Sequence, residues 1–150
     1  MLIRLAQSGD VDGILALYRE LRPGDPDLPE PKALLRKILS NPDLALIVCE
    51  CDNALTATCM LAMVPNLASG GRPFGVLEHV VTLNRFRRRG FGRAVLEFAL
   101  EIAWSRNCYK VILLSGMQRS EAHALYESLG FRGDVERGFV TKPTSGELVK

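Results

Sequence analysis

The sequence predicts an α+β domain built around a mixed, mostly antiparallel sheet of six to seven strands, flanked by about four helices. Three observations lead to this prediction. Apolar residues make up 47% of the 150 residues and charged residues 24%, which is typical of a globular domain that buries ~70% of its unfolded surface. Strand-like and helix-like runs follow in the order β-α-α-β-β-β-α-β-α-β. No linker, repeat or low-complexity tract interrupts them, so one domain is expected over residues 1–150.

The first part of the chain predicts a strand and two helices. Leu2–Ala6 alternates as a strand does, and Ser8 or Asp10 is placed to cap the helix that follows. A second helix is expected from Pro31, since proline suits the first turn of a helix, and it ends at Asn41-Pro42. The apolar face of the first helix consists of Val11, Ile14, Leu15, Tyr18 and Leu21.

The middle of the chain predicts a hairpin, a strand and a long helix. The apolar runs Leu44–Glu50 and Leu55–Val64 are separated by a turn that contains Asp52-Asn53. Val76–Leu83 is expected to form the fourth strand. Gly90 to Arg106 predicts a helix because its apolar residues recur at helical spacing.

The last part predicts a short strand over Tyr109–Ser115 and a helix over Ser120–Leu129, which Gly130 ends. Phe131 to Lys142 is expected to add one or two closing strands, and residues 144–150 to form a frayed tail.

Charge and hydropathy exclude several classes of protein. Residues 1–84 hold 7 basic and 10 acidic side chains, whereas residues 85–150 hold 12 and 7, so the two parts carry −3 and +5. This asymmetry predicts an anionic partner that binds at one place. Apolar runs of about six residues are far shorter than the ~20 that span a bilayer, and the N-terminus lacks the features of a signal peptide. A cytoplasmic protein without a membrane partner is expected.

The cysteines indicate no metal site. Cys49, Cys51, Cys59 and Cys108 include no Cys-x-x-Cys pair, and only two histidines accompany them. We expect reduced thiols in apolar surroundings and no bound metal.

The most informative segment is Arg87-Arg88-Arg89-Gly90-Phe91-Gly92, which lies between a strand and a helix. Glycines at such a turn let backbone N–H groups converge, and the helix dipole adds positive charge there, so the turn is typical of a phosphate site. The side chains of Arg88, Arg89 and Arg93 are placed to contact further phosphates. The motifs of dinucleotide-binding folds and of P-loop NTPases are absent from the sequence.

A second motif follows further along the chain, where Leu125-Tyr126-Glu127-Ser128-Leu129-Gly130-Phe131 has the pattern Leu-Tyr-Glu-x-Leu-Gly-Phe. With Arg87-x-x-Gly90-x-Gly92 after Val80-Val81-Thr82, the chain resembles the GNAT superfamily of acetyl-CoA-dependent N-acetyltransferases. The resemblance covers nearly the whole chain. It implies a GNAT-like fold and acetyl-CoA as the cosubstrate, and it makes a homodimer an expectation.

The resemblance also implies roles for individual residues. The backbone of Val81, Thr82 and Leu83 pairs with pantetheine, and the amides from Arg88 to Arg93, which include Arg89, Gly90, Phe91 and Gly92, bind the pyrophosphate. Acetyl transfer needs a base for the amine, a donor for the oxyanion and an acid for the leaving thiolate. Tyr126 is the candidate acid and Glu78 the candidate base, either directly or through water. The N–H of Val81 or Thr82 is the candidate oxyanion donor.

The acceptor is expected to be a primary amine on a small molecule. Within the superfamily, Leu77–Thr82 and Cys108–Leu113 are most similar to glucosamine-6-phosphate N-acetyltransferases, which implies an amino sugar or its phosphate. This chain has His79 where those enzymes carry a second acidic residue, and Arg119 where the family often has asparagine. A peptide or protein amine is an alternative acceptor.

Two functions from other classes remain open. A nucleic-acid-binding module would use Arg85–Arg93, with Phe86 and Phe91 stacked on bases. We do not expect it, because the rest of the chain is not basic and Phe91 lies on the apolar stripe of its helix. A domain that binds acetyl-CoA as a sensor, without turnover, is the other.

Overall fold

The computed structural model describes residues 1–144, and this part of the chain divides after Leu113 into two compact units. In the first unit, 3-10 turns lie at Ser8–Asp10, Ser69–Gly71 and Asn84–Phe86. The second unit, from Leu114 onward, holds helix α4 (Ser120–Ser128). The strands and helices of the first unit are β1 (Leu2–Leu5), α1 (Val11–Leu21), α2 (Pro31–Leu39), β2 (Leu44–Cys51), β3 (Ala54–Val64), β4 (Phe74–Thr82), α3 (Phe91–Ser105) and β5 (Val111–Leu113).

The five strands of the described chain form one mixed sheet in the order β1-β2-β3-β4-β5. The first four strands are antiparallel neighbours, and β5 runs parallel to β4. The mixed, mostly antiparallel sheet is therefore confirmed, as are four α-helices within residues 1–144. The prediction of one domain over residues 1–150 stays a prediction.

The sheet is covered on both faces, which explains the unbroken apolar run in β2. Leu46 and Val48 pack with residues of α1 and α2. Side chains alternate along a strand, so Ile47 points to the other face together with its partner Cys59. There the thiol of Cys59 donates to the carbonyl of Val95 in α3 at 3.5 Å. All four cysteines are free thiols, as expected, and burial raises the pKa of Cys59 to about 12.

The hairpin between β2 and β3 is confirmed. Asp52 and Asn53 have φ values of 52° and 58°, and a two-residue turn with both residues in the left-handed region matches the twist of the flanking strands. Aspartate and asparagine tolerate this region better than most residues, which is why this pair predicted the turn.

The predicted number of six to seven strands is wrong for the described chain, because no strand forms from Phe131 to Lys142. The apolar residues of this segment do not alternate. Phe139 and Val140 are adjacent, so a strand would point them to opposite faces, and both side chains are exposed. The tail predicted for residues 144–150 lies, except for Thr144, outside the described residues.

Arg4 joins β1 to the start of α1 and to β2. Its guanidinium donates to both carboxylate oxygens of Asp10, at 2.7 and 3.0 Å, and to Glu50 at 2.8 Å. Asp10 thus precedes α1, as predicted, but no side-chain bond caps α1 itself. Its carboxylate instead accepts from the N–H of Gln7 at 2.7 Å. The hydrogen bond from Arg4 is the main cause that holds the pKa of Asp10 below its usual range.

Arg4→Met is expected to lower the free energy of unfolding at neutral pH by about 1.5–3 kcal/mol, the range for hydrogen bonds to charged groups. Because the folded-state pKa of Asp10 is lowered, this stabilisation is complete above the ordinary aspartate pKa of about 3.9 and is lost as pH falls through the lowered value. Urea unfolding at a series of pH values measures this dependence of the free energy of unfolding on pH. Arg22→Met is the control, because the Arg22–Asp25 pair is half exposed and solvent screening should make its contribution smaller than that of Arg4. If both variants lost the same free energy of unfolding, the stabilisation could not be assigned to the bonds of Arg4 with Asp10 and Glu50.

Candidate functional site

Strand β4 has an open edge in its second half. It pairs with β3 along its length, but its ladder with β5 consists of Gly75, Val76 and Leu77 and ends there. From Glu78 to Thr82 the side of β4 that would face β5 is therefore not covered by that strand. An open strand edge presents N–H and C=O groups to which an extended, amide-containing molecule can bind.

A β-bulge lies at the start of this open stretch. The register between β3 and β4 shifts so that His79 and Val80 both lie opposite Cys59. His79 has φ +54°, in the left-handed region. Its ring lies 5.3 Å from the ring of Tyr18 in α1. Bulges re-aim side chains and are common beside functional sites, so the α1 side of the bulge is a candidate acceptor region.

The three residues expected to contact pantetheine are not equivalent. The N–H of Leu83 donates to the carbonyl of Thr56 in β3 at 2.9 Å. Backbone groups alternate between the two edges of a strand, so those of Val81 also face β3, whereas those of Thr82 face the open edge. Thr82 is therefore the residue placed to pair with pantetheine or to donate to an oxyanion. The predicted pantetheine contacts through the backbone of Val81 and Leu83 stay predictions. Both side chains are buried against Leu17.

The segment Arg87–Gly92, called the glycine turn below, follows β4 and includes the first residues of α3. Gly90 is the N-cap residue, with φ +84°, a conformation that strains any residue with a Cβ atom. No side-chain hydrogen bond is made by this cap. The first hydrogen bond of the helix runs from the N–H of Ala94 to the carbonyl of Gly90, at 3.0 Å. The N–H groups of Phe91, Gly92 and Arg93 therefore point out of the helix end, as an anion site requires.

The arginines of the turn have distinct environments. The guanidinium of Arg89 lies over the rings of Phe86 and Phe91, at 5.3 and 5.2 Å. Arg87 Nε donates to the carbonyl of Thr82 at 3.4 Å. Arg93 pairs with Glu97 one turn along α3, at 3.1 Å. Arg88, which has φ +60°, is exposed. The cluster concentrates positive charge beside the helix start, as the sequence predicted.

Glu78 lies at the α1 side of the sheet. Its partner across the ladder is Met60, which packs in the cluster beneath α1 and α2. The Glu78 side chain is exposed, and its charge is the smallest of the causes that raise the pKa of Arg22, after the hydrogen bond to Asp25. The candidate base thus lies beside the end of α1, close to the bulge.

Tyr126 belongs to the second unit and lies on α4. It is buried, and its ring packs edge-on against Phe131 at 6.1 Å. Gly130, with φ +90°, follows the end of this helix, as the sequence predicted. Within the first unit, Glu78 and Thr82 lie on the same strand, and Arg87 at the start of the glycine turn donates to the carbonyl of Thr82. The role of Tyr126 as the acid stays a prediction.

The contacts between α1 and this region, through Tyr18 and Glu20, were not predicted from the sequence. Tyr18 was predicted to lie on the apolar face of α1, and the only further signal that it carried is that a buried tyrosine hydroxyl usually has a hydrogen-bond partner. Burial is the main cause that raises its pKa to about 12. Glu20, whose carboxylate accepts from the N–H of Asn84 at 2.8 Å, carried no signal, because that contact joins residues far apart in the sequence.

Two negative findings apply to residues 1–144. The structure contains no group of three or more His, Cys, Asp or Glu side chains there that could hold a metal ion. No helix within the same residues is long and apolar enough to cross a membrane.

An α+β domain in which β5 leaves the second half of β4 uncovered and a glycine turn precedes α3 has the arrangement expected of a protein that binds a phosphorylated molecule along a strand edge. The chain belongs to the acetyltransferase (GNAT) family, whose model matches residues 12–131. A curated relative, the glucosamine 6-phosphate N-acetyltransferase of Trypanosoma brucei brucei, is 37% identical over 78 residues. That match spans 52% of this chain and 51% of the enzyme, so it covers about half the length of the relative.

Solved structures show the same fold. A putative acetyltransferase from Agrobacterium tumefaciens superposes with a TM-score of 0.90 at 41% identity, over 95% of this chain and 100% of that one. An aminoglycoside N-acetyltransferase, AAC(6')-Iy, in complex with CoA superposes with a TM-score of 0.81 at 20% identity, over 95% and 93% of the two chains. At that identity the likeness shows the fold alone.

Proposed function

We propose that this protein transfers the acetyl group of acetyl-CoA to a primary amine of a small molecule, with both substrates bound together. The observation that carries this proposal is the open edge of β4 beyond Leu77, which leads through the glycine turn to the start of α3. Membership of the GNAT family supports the same activity. The carbonyl of Thr82, which also accepts from Arg87 Nε, would accept from an amide N–H of pantetheine. The N–H groups of Phe91, Gly92 and Arg93 would receive the pyrophosphate.

The chemistry then follows from three groups. Glu78, directly or through water, takes a proton from the amine nitrogen as that nitrogen attacks the thioester carbonyl. The new C–N bond forms, and the N–H of Thr82 stabilises the negative charge on the carbonyl oxygen. The C–S bond breaks, and the leaving thiolate takes a proton from the hydroxyl of Tyr126. A phenol suits this step because its ordinary pKa of about 10 keeps it protonated at neutral pH.

An amino sugar or its phosphate is the acceptor we propose. The support is the curated trypanosomal relative, which is named for glucosamine 6-phosphate. A peptide or protein amine is the alternative acceptor. A cytoplasmic location, a homodimer and the absence of a metal stay predictions.

We expect coenzyme A with a free thiol to form when acetyl-CoA is mixed with an accepted amine. A thiol reagent measures it against glucosamine 6-phosphate, glucosamine, an aminoglycoside, a polyamine and a lysine peptide. Faster release with the sugar amines than with the peptide supports the proposal, and each reaction without amine is the control for hydrolysis. Binding of acetyl-CoA without thiol release from any amine would indicate a sensor. Release only with the peptide would replace the proposed acceptor with a protein or peptide amine.

A further inference from the structure

The loop between β4 and α3 is held from one side by α1. Leu83, at its start, donates its N–H to Thr56 and buries its side chain against Leu17. Phe86 and Leu21 pack against the same cluster. The last turns of α1 therefore form the apolar support of the loop that precedes the phosphate turn.

A hydrogen bond between Glu20 of α1 and Asn84 also connects the helix to this loop. The N–H of Asn84 opens the 3-10 turn Asn84–Phe86 and donates to Oε2 of Glu20, at 2.8 Å. Both residues are exposed, so water could satisfy this N–H if the carboxylate were absent. The bond connects the 3-10 turn to the end of α1, and because it is exposed we expect a protein without the Glu20 carboxylate to fold.

A chain of short contacts connects Asn84 to the start of α3. The N–H of Arg87 donates to the carbonyl of Asn84 at 3.2 Å, which closes the 3-10 turn. The ring of Phe86 packs edge-on against the ring of Phe91, the first residue of α3, at 5.8 Å. The guanidinium of Arg89 lies over both rings. These contacts form one continuous network from α1 to the helix end that would bind pyrophosphate.

We propose that Glu20 is a positioning residue, which holds the 3-10 turn so that the N–H groups at the start of α3 are already arranged for the pyrophosphate of acetyl-CoA. This inference rests on the proposed function. A loop that is ordered before binding loses less conformational entropy when the ligand arrives, so the bond raises affinity without touching the ligand. Because α1 also places Tyr18 against His79, the same helix contacts both the turn and the bulge.

Glu20→Ala and Glu20→Gln test this proposal by calorimetry with coenzyme A. Glu20→Ala is expected to weaken binding about fivefold, the factor that corresponds to a hydrogen bond of about 1 kcal/mol. Glu20→Gln should stay within about twofold of the wild type, because its amide oxygen still accepts from Asn84. Glu101→Ala, which removes an exposed carboxylate from α3, is the control. Hydrogen exchange at the Asn84 amide should be faster in Glu20→Ala and unchanged in Glu101→Ala.

Whether the Glu20 variants bind coenzyme A more weakly or more tightly distinguishes a positioning role from a purely electrostatic one. A carboxylate repels a polyanion, so a purely electrostatic role predicts tighter binding in both Glu20 variants. That result, or wild-type affinity in a folded Glu20→Ala protein, would overturn the proposal while leaving the proposed function intact. If the wild-type protein itself does not bind coenzyme A, the proposed function fails with it. Thermal unfolding of the free variants controls for a general loss of stability.

Discussion

Tyr126→Phe is expected to reduce kcat by about 10²–10⁴-fold, the usual contribution of a general acid. The change removes one hydroxyl and keeps the ring that packs against Phe131, so the second unit should keep its fold. Coenzyme A affinity should change less than about twofold, because a proton donor to the thiolate acts in the transition state rather than in binding. Single-turnover thiol release, with calorimetry for binding, measures both quantities.

Tyr109→Phe is the matched control. This change also removes one phenol hydroxyl, from a ring that packs against Phe74 next to β5, and kcat should fall less than about twofold. A loss of less than about threefold in Tyr126→Phe, with chemistry rate-limiting, would remove Tyr126 from the role. Water would then be the proton donor, and Glu78→Gln would be the next variant to examine.

Elements that depend on local physics were predicted correctly. The hairpin follows from two residues that tolerate the left-handed region, and α3 follows from an apolar stripe at helical spacing that starts after a glycine. In the structure Asp52 and Asn53 form that turn, and Phe91 and Val95 of the stripe are buried. The position of the glycine turn between β4 and α3 was predicted for the same reason, because its signals lie within a few residues of one another.

The prediction of closing strands from Phe131 to Lys142 was wrong, because this segment lacks such a local signal. This segment contains apolar residues without a period of two, so their number suggested strands that their spacing does not support. A strand there would leave Phe139 and Val140 on opposite faces, and the structure shows both exposed.

Other features of the site could not be predicted, because they depend on contacts between distant residues. The bulge at His79 follows from the register between β3 and β4, which alternation along β4 alone does not reveal. The same applies to the Glu20–Asn84 bond, which joins the end of one helix to a turn 64 residues away. The unequal roles of Val81 and Thr82 also depend on which edge of β4 is open.

Gly92→Val is expected to weaken coenzyme A binding by at least about tenfold. Gly92 is the second residue of α3, where the N–H groups point out of the helix end, and a branched side chain there would keep phosphate oxygens from the backbone. Loss of one charge-assisted hydrogen bond, about 1.5–3 kcal/mol, is sufficient for that factor. Folding should survive, because valine is no worse than glycine within a helix. Gly90→Val is a poorer test, since φ +84° at Gly90 would strain the helix start itself.

Gly9→Val is the control for Gly92→Val. A Cβ atom at Gly9 meets nothing within 4 Å, and this glycine lies in the 3-10 turn before α1, so the same substitution should leave coenzyme A affinity within about twofold of the wild type. Calorimetry of both variants, with thermal unfolding to establish that each is folded, measures the difference. Because the proposed function depends on the turn before α3 as its anion site, wild-type affinity in a folded Gly92→Val protein would place the phosphates elsewhere on the molecule.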